Sequence, residues 1–286
     1  MERKEIAILS GKGGTGKTSL IASMIPYFEN LVLADCDVDA PDLHILLDEK
    51  NRQSRDFVGL QRPVFDMNKC IHCQECVKHC NFNAIADSIE LIASKCEGCG
   101  VCQLVCPVDA IKMEDYVVGK VFASDTEYGE LVHARLIPGE ETSGKLVSEV
   151  RKTAKQLADE KNREWILIDG SPGIACNVIS SVTGVSKVIL VIEPTLSGLH
   201  DLKKIVTLVQ GFQIPLLVVL NKSDLSTEGK TEIQGYCREI GIEIALEIPF
   251  EENMVAAIVN RVMPSIFDRA FFDRIGFDQF IKQIKE

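Results

Sequence analysis

No apolar run in this chain approaches the roughly 20 residues that a helix needs to cross a bilayer, so a helical membrane span is not expected. Nor is a secretory leader expected. Met1-Glu2-Arg3-Lys4-Glu5 leads straight into a strand-like run, and the chain reads as cytoplasmic. Basic residues are in deficit: 31 Lys and Arg stand against 42 Asp and Glu, for a net charge of −11. Nucleic-acid binders neutralise phosphates with a basic face, so DNA and RNA are not expected partners. The remaining bulk numbers are ordinary for a globular protein. At 286 residues the chain can form one large or two modest domains. Cysteine, by contrast, is plentiful, with 11 residues. A small secreted chain would spend them on disulfides; a cytosolic one of this length points to metal or redox chemistry.

The organising stretch is Ser10-Gly11-Lys12-Gly13-Gly14-Thr15-Gly16-Lys17-Thr18. It follows the apolar run Ile6-Ala7-Ile8-Leu9 and precedes a helix-compatible segment from Ser19 to Ile25. That is the strand–loop–helix context of a phosphate-binding loop. Glycines bring backbone N–H groups close to phosphate oxygens, and the following helix points its N-terminus at the same anion. Lys17 supplies a point charge for the β- and γ-phosphates, and the Thr18 hydroxyl can ligate Mg²⁺. Gly11, Gly13, Gly14, Thr15 and Gly16 complete the cradle.

Lys12 is a second lysine near the start of the loop. With it, Lys12-Gly13-Gly14-Thr15-Gly16-Lys17-Thr18 resembles the deviant Walker A motif of the MinD/ParA family, which includes the nitrogenase iron protein and the Mrp-type cluster carriers. The resemblance implies that Lys12 reaches across a dimer interface and that two subunits sandwich ATP.

Two apolar runs end in carboxylates, where open α/β sheets bind ligands. Leu31 to Ala34 leads to Asp35-Cys36-Asp37-Val38-Asp39-Ala40-Pro41-Asp42. Carboxylates there can hold Mg²⁺ through water or orient an attacking water. By resemblance to the family's first switch, Asp37 is the water-positioning residue, with Asp35, Asp39 and Asp42 as lesser candidates. Trp165 to Ile168 leads to Asp169-Gly170-Ser171-Pro172-Gly173. Asp169 fits a Walker B aspartate for Mg²⁺, and Gly170 to Gly173 fit a second switch.

Between these lies an internal repeat. Cys70, Cys73, Cys76 and Cys80 recur as Cys96, Cys99, Cys102 and Cys106, each shifted by 26 residues, and Ala84-Ile85 recurs as Ala110-Ile111. The spacing matches bacterial ferredoxins that hold two 4Fe–4S clusters. Three thiolates two residues apart in a tight loop can face one cubane, with the fourth ligand from the other half. Cys70, Cys73, Cys76 and Cys106 are therefore assigned to one cluster, and Cys96, Cys99, Cys102 and Cys80 to the other. Zinc is the rival reading of paired cysteines, disfavoured by two identical four-cysteine runs. One departure is visible: Pro107 follows Cys106, but Asn81 follows Cys80.

Elsewhere the polar run 48–56 reads as a linker, and 116–136 as a hairpin. Thr142-Ser143-Gly144 can cap a helix from about Lys145 to Glu160. Val185 to Glu193 and Ile214 to Leu220 read as buried strands of a parallel sheet. The second ends in Asn221-Lys222-Ser223-Asp224, where Asn221 can read a purine edge and Asp224 can accept from guanine. The family resemblance favours ATP, with GTP as the alternative. Pro249, within 247–251, resembles the family's base-flanking loop. Cys176 stands seven residues after Asp169, the step at which the nitrogenase iron protein carries a shared-cluster ligand. No cysteine lies between Glu114 and Trp165 to serve as its companion, so Cys176 reads as a buried thiol. The aromatic C-terminus balances its charges and reads as a docking helix, so membrane binding is not expected.

Taken as a whole, the chain resembles a MinD/ParA-superfamily P-loop ATPase. The expected fold is α/β, a mostly parallel sheet over 1–56 and 116–286, with an inserted small α+β ferredoxin-like domain over 57–115. The implied cofactors are ATP, Mg²⁺ and two 4Fe–4S clusters. The implied partners are a second copy or a paralogue, joined in an ATP-dependent dimer, and a redox or metallocofactor protein. The leading expectation is coupling of nucleotide turnover to electron transfer or metallocluster assembly. A spatial organiser with redox-sensing clusters and an iron–sulfur carrier are the alternatives.

Overall fold

The structure, a computed structural model, describes residues 3–140 and 144–286. Thr142 and Ser143, the expected helix cap, lie outside them. The chain begins with β1 (Lys4–Ser10), α1 (Lys17–Met24), β2 (Leu31–Asp35), α2 (Leu43–Leu46) and β3 (Lys50–Phe65). The cysteine repeat carries α3 (Glu75–Lys78) and α4 (Val101–Leu104). Next come β4 (Ile111–Thr126), β5 (Gly129–Leu136), α5 (Gly144–Glu160), β6 (Trp165–Asp169) and α6 (Cys176–Val182). Then follow β7 (Lys187–Ile192), α7 (Leu196–Gly211), β8 (Leu216–Asn221), α8 (Thr227–Glu239) and β9 (Glu243–Ile248). The C-terminal helices are α9 (Glu252–Val259), α10 (Pro264–Phe267), α11 (Arg269–Arg274) and α12 (Phe277–Lys285).

Among the described residues the sheet has nine strands in the order β3-β4-β5-β2-β6-β1-β7-β8-β9. From β5 through β9 the pairings are parallel. The central strands β1, β2, β6 and β7 are almost wholly buried, which explains their unbroken Ile/Val/Leu runs: both faces are covered by helices. On one face the core joins Ile6, Ile8, Leu33 and Val191 to Phe271, Phe272, Phe277, Phe280, Ile281 and Ile284. The C-terminal helix α12 therefore docks on the sheet with its apolar side inward. Each of its four buried side chains is worth about 1.5–3 kcal/mol of burial.

Two expectations change. The polar run after Asp48 is not a linker: residues from Lys50 onward are the start of β3, one of the two edge strands of the sheet. Its polarity is what an exposed edge requires, because charged side chains discourage pairing with another chain. The hairpin is present but longer than expected, formed by β4 and β5 with Glu127 and Tyr128 between them.

The chain divides into two compact units. The larger comprises the residues up to Ser54, Val121–Ala134 and those from 144 onward. The smaller comprises Arg55–Lys120 and the segment from Arg135 to 140, so the borders fall within β3 and β4 rather than in loops. Among the described residues, no helix is long and apolar enough to cross a membrane.

Candidate nucleotide site and cysteine cavities

The larger unit gathers its polar residues at the carboxyl ends of its strands. β1 lies between β6 and β7, and its last residue, Ser10, opens the glycine-rich loop. Gly14 and Gly16 take φ of 80° and 89°, a left-handed conformation that side chains resist, and Gly16 is the N-cap of α1. Gly11 is required by close approach: a Cβ there would lie 2.1 Å from Cβ of Asp201 on α7. A Cβ at Gly13 would meet nothing within 4 Å. The loop is stitched to its neighbours. Gly173 N donates to Ser10 O at 2.9 Å, and Gly170 N donates to Ile8 O at 2.9 Å.

Lys17 and Thr18 converge on Asp169. Lys17 Nζ donates to Asp169 Oδ1, and Thr18 Oγ1 donates to Asp169 Oδ2 at 2.9 Å. Asp37 Oδ2 stands 3.8 Å from the same ammonium. Burial alone would lower the Lys17 pKa; the charges of Asp169, Asp37 and Asp35 outweigh it and raise the value. Burial pushes the Asp37 carboxyl up to about 6, with Lys17 pulling down and Asp169 pushing further up. Asp35 is fully buried in register with Asp169 on the adjacent strand. Burial first, and Asp169 second, hold its pKa well above the usual carboxylate range. Its oxygens accept from the backbone N–H of Asp37, Asp42 and Leu43 at 3.0–3.1 Å, pinning the loop that carries Asp37. Asp39 and Asp42 are exposed.

Lys12 is partly exposed, with Nζ 3.5 Å from Glu193 Oε2. Asn221, expected at a purine edge, donates from Nδ2 to Thr15 O at 2.7 Å, beneath the loop. Asp224 and the loop of Pro249 are brought together: Asp224 Oδ1 accepts from Phe250 N at 2.8 Å. The sequence reading did not single out Glu193 or Lys222, whose Nζ is 2.6 Å from Glu193 Oε1. A signal was available, since Glu193 is an acid closing an apolar strand just as Asp35 and Asp169 are.

The donor set fits a nucleoside triphosphate with magnesium. Thr15 Oγ1 is buried with no hydrogen-bond partner among the described residues, at the centre of the glycine cradle. A cationic side chain, a hydroxyl and a buried carboxylate meet beside it, the groups that phosphate and Mg²⁺ demand.

The smaller unit carries two cysteine-lined pockets. One is lined by Cys70, Cys73, Cys76 and Cys106 with Phe65, Ile89 and Ile111. The other is lined by Cys80, Cys96, Cys99 and Cys102 with Phe82, Ile85 and Met113. Each therefore draws three cysteines from one repeat and one from the other. None of the eight forms a disulfide. Four cysteines lining one pocket are the thiolate set that a 4Fe–4S cubane takes, three from one repeat and one from the other. Backbone N–H groups already point at sulfur. Ala84 N donates to Cys80 Sγ at 3.3 Å and Ala110 N to Cys106 Sγ at 3.2 Å, so Asn81 leaves this repeated bond intact. The protein core here is small, with Cys76, Ile85, Ile89 and Ile111 its buried members.

The remaining cysteines differ. Cys36 and Cys237 are buried, and burial pushes both thiols up, Cys237 to about 11. Cys176 is exposed at the start of α6, not buried as expected.

The profile of the CobQ/CobB/MinD/ParA nucleotide-binding domain matches residues 6–264, and the chain belongs to this family. It is 32% identical over 266 residues to an uncharacterized protein of Methanocaldococcus jannaschii, covering 91% of this chain and 89% of that one. A shorter match, 43% over 53 residues, links it to the pyruvate synthase subunit PorD of Methanothermobacter marburgensis, over 18% of this chain and 65% of that one. Among solved structures, septum site-determining protein MinD with Mg-ADP from Pyrococcus horikoshii superposes with a TM-score of 0.57 at 18% identity. That likeness covers 99% of this chain and 95% of that one, and it establishes the fold.

Proposed function

We propose that this protein is a Mg²⁺-dependent ATPase that couples a nucleotide-driven dimer cycle to electron transfer or metallocluster assembly on a partner protein. The observation that carries the reading is the pair of four-cysteine cavities in a chain whose phosphate loop aims Lys17 and Thr18 at Asp169. Magnesium would offset phosphate charge, and two 4Fe–4S clusters would hold and pass single electrons.

The chain's own residues divide the work. The Gly11–Gly16 backbone cradles phosphate oxygens, and Lys17 leaves Asp169 to pair with them. Thr18 and Asp169 hold the magnesium. Asp37 orients the attacking water, and Lys12 completes the site of the partner subunit. Asp224 and Pro249 flank the base, with adenine the preferred one and guanine the alternative. The first set of four cysteines holds one cluster and the second set the other. The short match to a pyruvate synthase subunit supports an electron-transfer role.

Chain connectivity supports coupling. Asp35 pins the segment at Asp37, Asp42 and Leu43, and a few residues later Glu49 accepts from Ser124 Oγ at 2.8 Å and meets His133 Nε2 at 3.0 Å. β3 starts at the next residue, Lys50, and runs on into the smaller unit. Movement of Lys17 away from Asp169 changes the charge facing Asp35 and so bears on this segment.

The test is ATP hydrolysis by anaerobically purified protein, with clusters reduced and then oxidised. The expected result is a rate that depends on redox state, with the dependence weakened in Cys70→Ser. Rates indifferent to both would defeat the coupling.

A further inference from the structure

Glu193 lies one residue beyond β7, and its side chain is only 9% exposed. Its two carboxylate oxygens serve two different lysines. Oε1 is 2.6 Å from Lys222 Nζ, and Oε2 is 3.5 Å from Lys12 Nζ. The backbone here is fixed. Thr195 N donates to Glu193 O at 2.8 Å, and a Cβ at Gly198 would lie 2.2 Å from that oxygen. On the other side, a Cβ at Gly229 would lie 2.4 Å from Pro194 O. The backbone that carries the carboxylate is therefore held in place.

We propose that Glu193 is a positioning residue for Lys12: it holds this lysine against its own subunit and sets how readily it is released to the nucleotide of a second copy. The inference rests on the reading of Lys12 given above. A nearly buried carboxylate cannot be left without a counter-charge. Lys222 supplies the lasting one. Its contact is the shorter, and its backbone is held at φ 50° beside the phosphate loop, with Nζ also 3.5 Å from Gly14 O. Lys12 is the releasable partner. Its contact is longer, its side chain is 42% exposed, and the neighbouring Gly13 has open space around it. When Lys12 leaves, Glu193 remains neutralised by Lys222. The two lysines compete for one carboxylate, so removing the carboxylate and removing Lys222 have opposite effects on Lys12.

The experiment measures dimerisation of the full chain against protein concentration by sedimentation, at saturating non-hydrolysable ATP analogue and magnesium. Glu193→Gln keeps the shape and removes the charge. It is expected to dimerise at several-fold lower concentration than the wild type. Lys222→Met leaves Lys12 as the sole counter-charge and is expected to need several-fold higher concentration. Should Glu193→Gln fail to fold, Glu193→Asp shortens the reach to Lys12 and is expected to shift the midpoint the same way by less. A merely structural role would move all these variants in one direction. Shifts of the same sign, or none, overturn the role of Glu193 while leaving the dimer reading standing. A wild-type chain that stays monomeric at every concentration overturns the dimer reading and this inference with it.

Discussion

Truncating Asn221 separates two accounts of the nucleotide site. A base-reading amide and a loop-supporting amide predict different losses on substitution to alanine. In the structure Asn221 Nδ2 donates to Thr15 O at 2.7 Å, and a Cβ at Gly16 would lie 2.2 Å from the same nitrogen. The amide is thus wedged under the phosphate loop, nearly buried. Asn221→Ala leaves the Thr15 carbonyl without its donor and opens a gap beneath Gly16. An unsatisfied buried polar group costs about 1–3 kcal/mol. Charged to the loop conformation that grips phosphate, that is roughly a 5- to 150-fold rise in Kd. The loss falls on the phosphate side, so ATP, ADP and GTP weaken together. Asn221→Asp, which sets a carboxylate oxygen against the carbonyl, is expected to be at least as damaging despite its near-identical size. Calorimetric titration of the three nucleotides against wild type and both variants provides the measurement. A tenfold change in the ATP-to-GTP preference, with phosphate affinity preserved, would refute the loop-support account and restore the purine contact.

Three further outcomes are expected. Asp37 has a folded pKa of about 6 against an ordinary 3.8, so the native state binds this proton more tightly than the unfolded chain does. Ionisation across that window costs fold stability, Asp37→Asn should stabilise the nucleotide-free protein at pH 7, and in wild type kcat/KM should fall as the pH drops through about 6. Cys106→Ser and Cys73→Ser should abolish the same cluster although they lie in different repeats, each retaining about four of about eight irons and the same EPR signal; signals that sort by repeat instead would break the crossed assignment. His133, fully buried against Glu49, has its pKa lowered by burial to about 4 from 6.5, so unfolding takes up a proton between those values and stability should decline as pH falls through that window; His133→Phe should flatten that slope in denaturant titrations.

What a sequence reveals depends on whether the determining physics is local. Asp35 and Asp169 are visible because a parallel strand buried on both faces writes an unbroken apolar run, and the polar residue that ends it stands where such sheets present their ligand groups. The grouping of the cysteines is visible because repeat spacing constrains which sulfurs can share a volume, and the two cavities are lined by those groups. The docking of α12 is visible because its apolar residues recur at helical spacing and need a surface to cover them. By contrast, β3 has neither alternation nor an apolar run along its first residues, since an edge strand is held by backbone hydrogen bonds that leave no mark on side-chain identity. The aim of Asn221 depends on β8 lying one strand beyond β7 and β7 beside β1, an order set by tertiary packing. Glu193 sits between these cases. The strand-end rule flags it as readily as Asp169, but its meaning comes from two lysines delivered by different loops, and only the folded sheet brings them to one carboxylate.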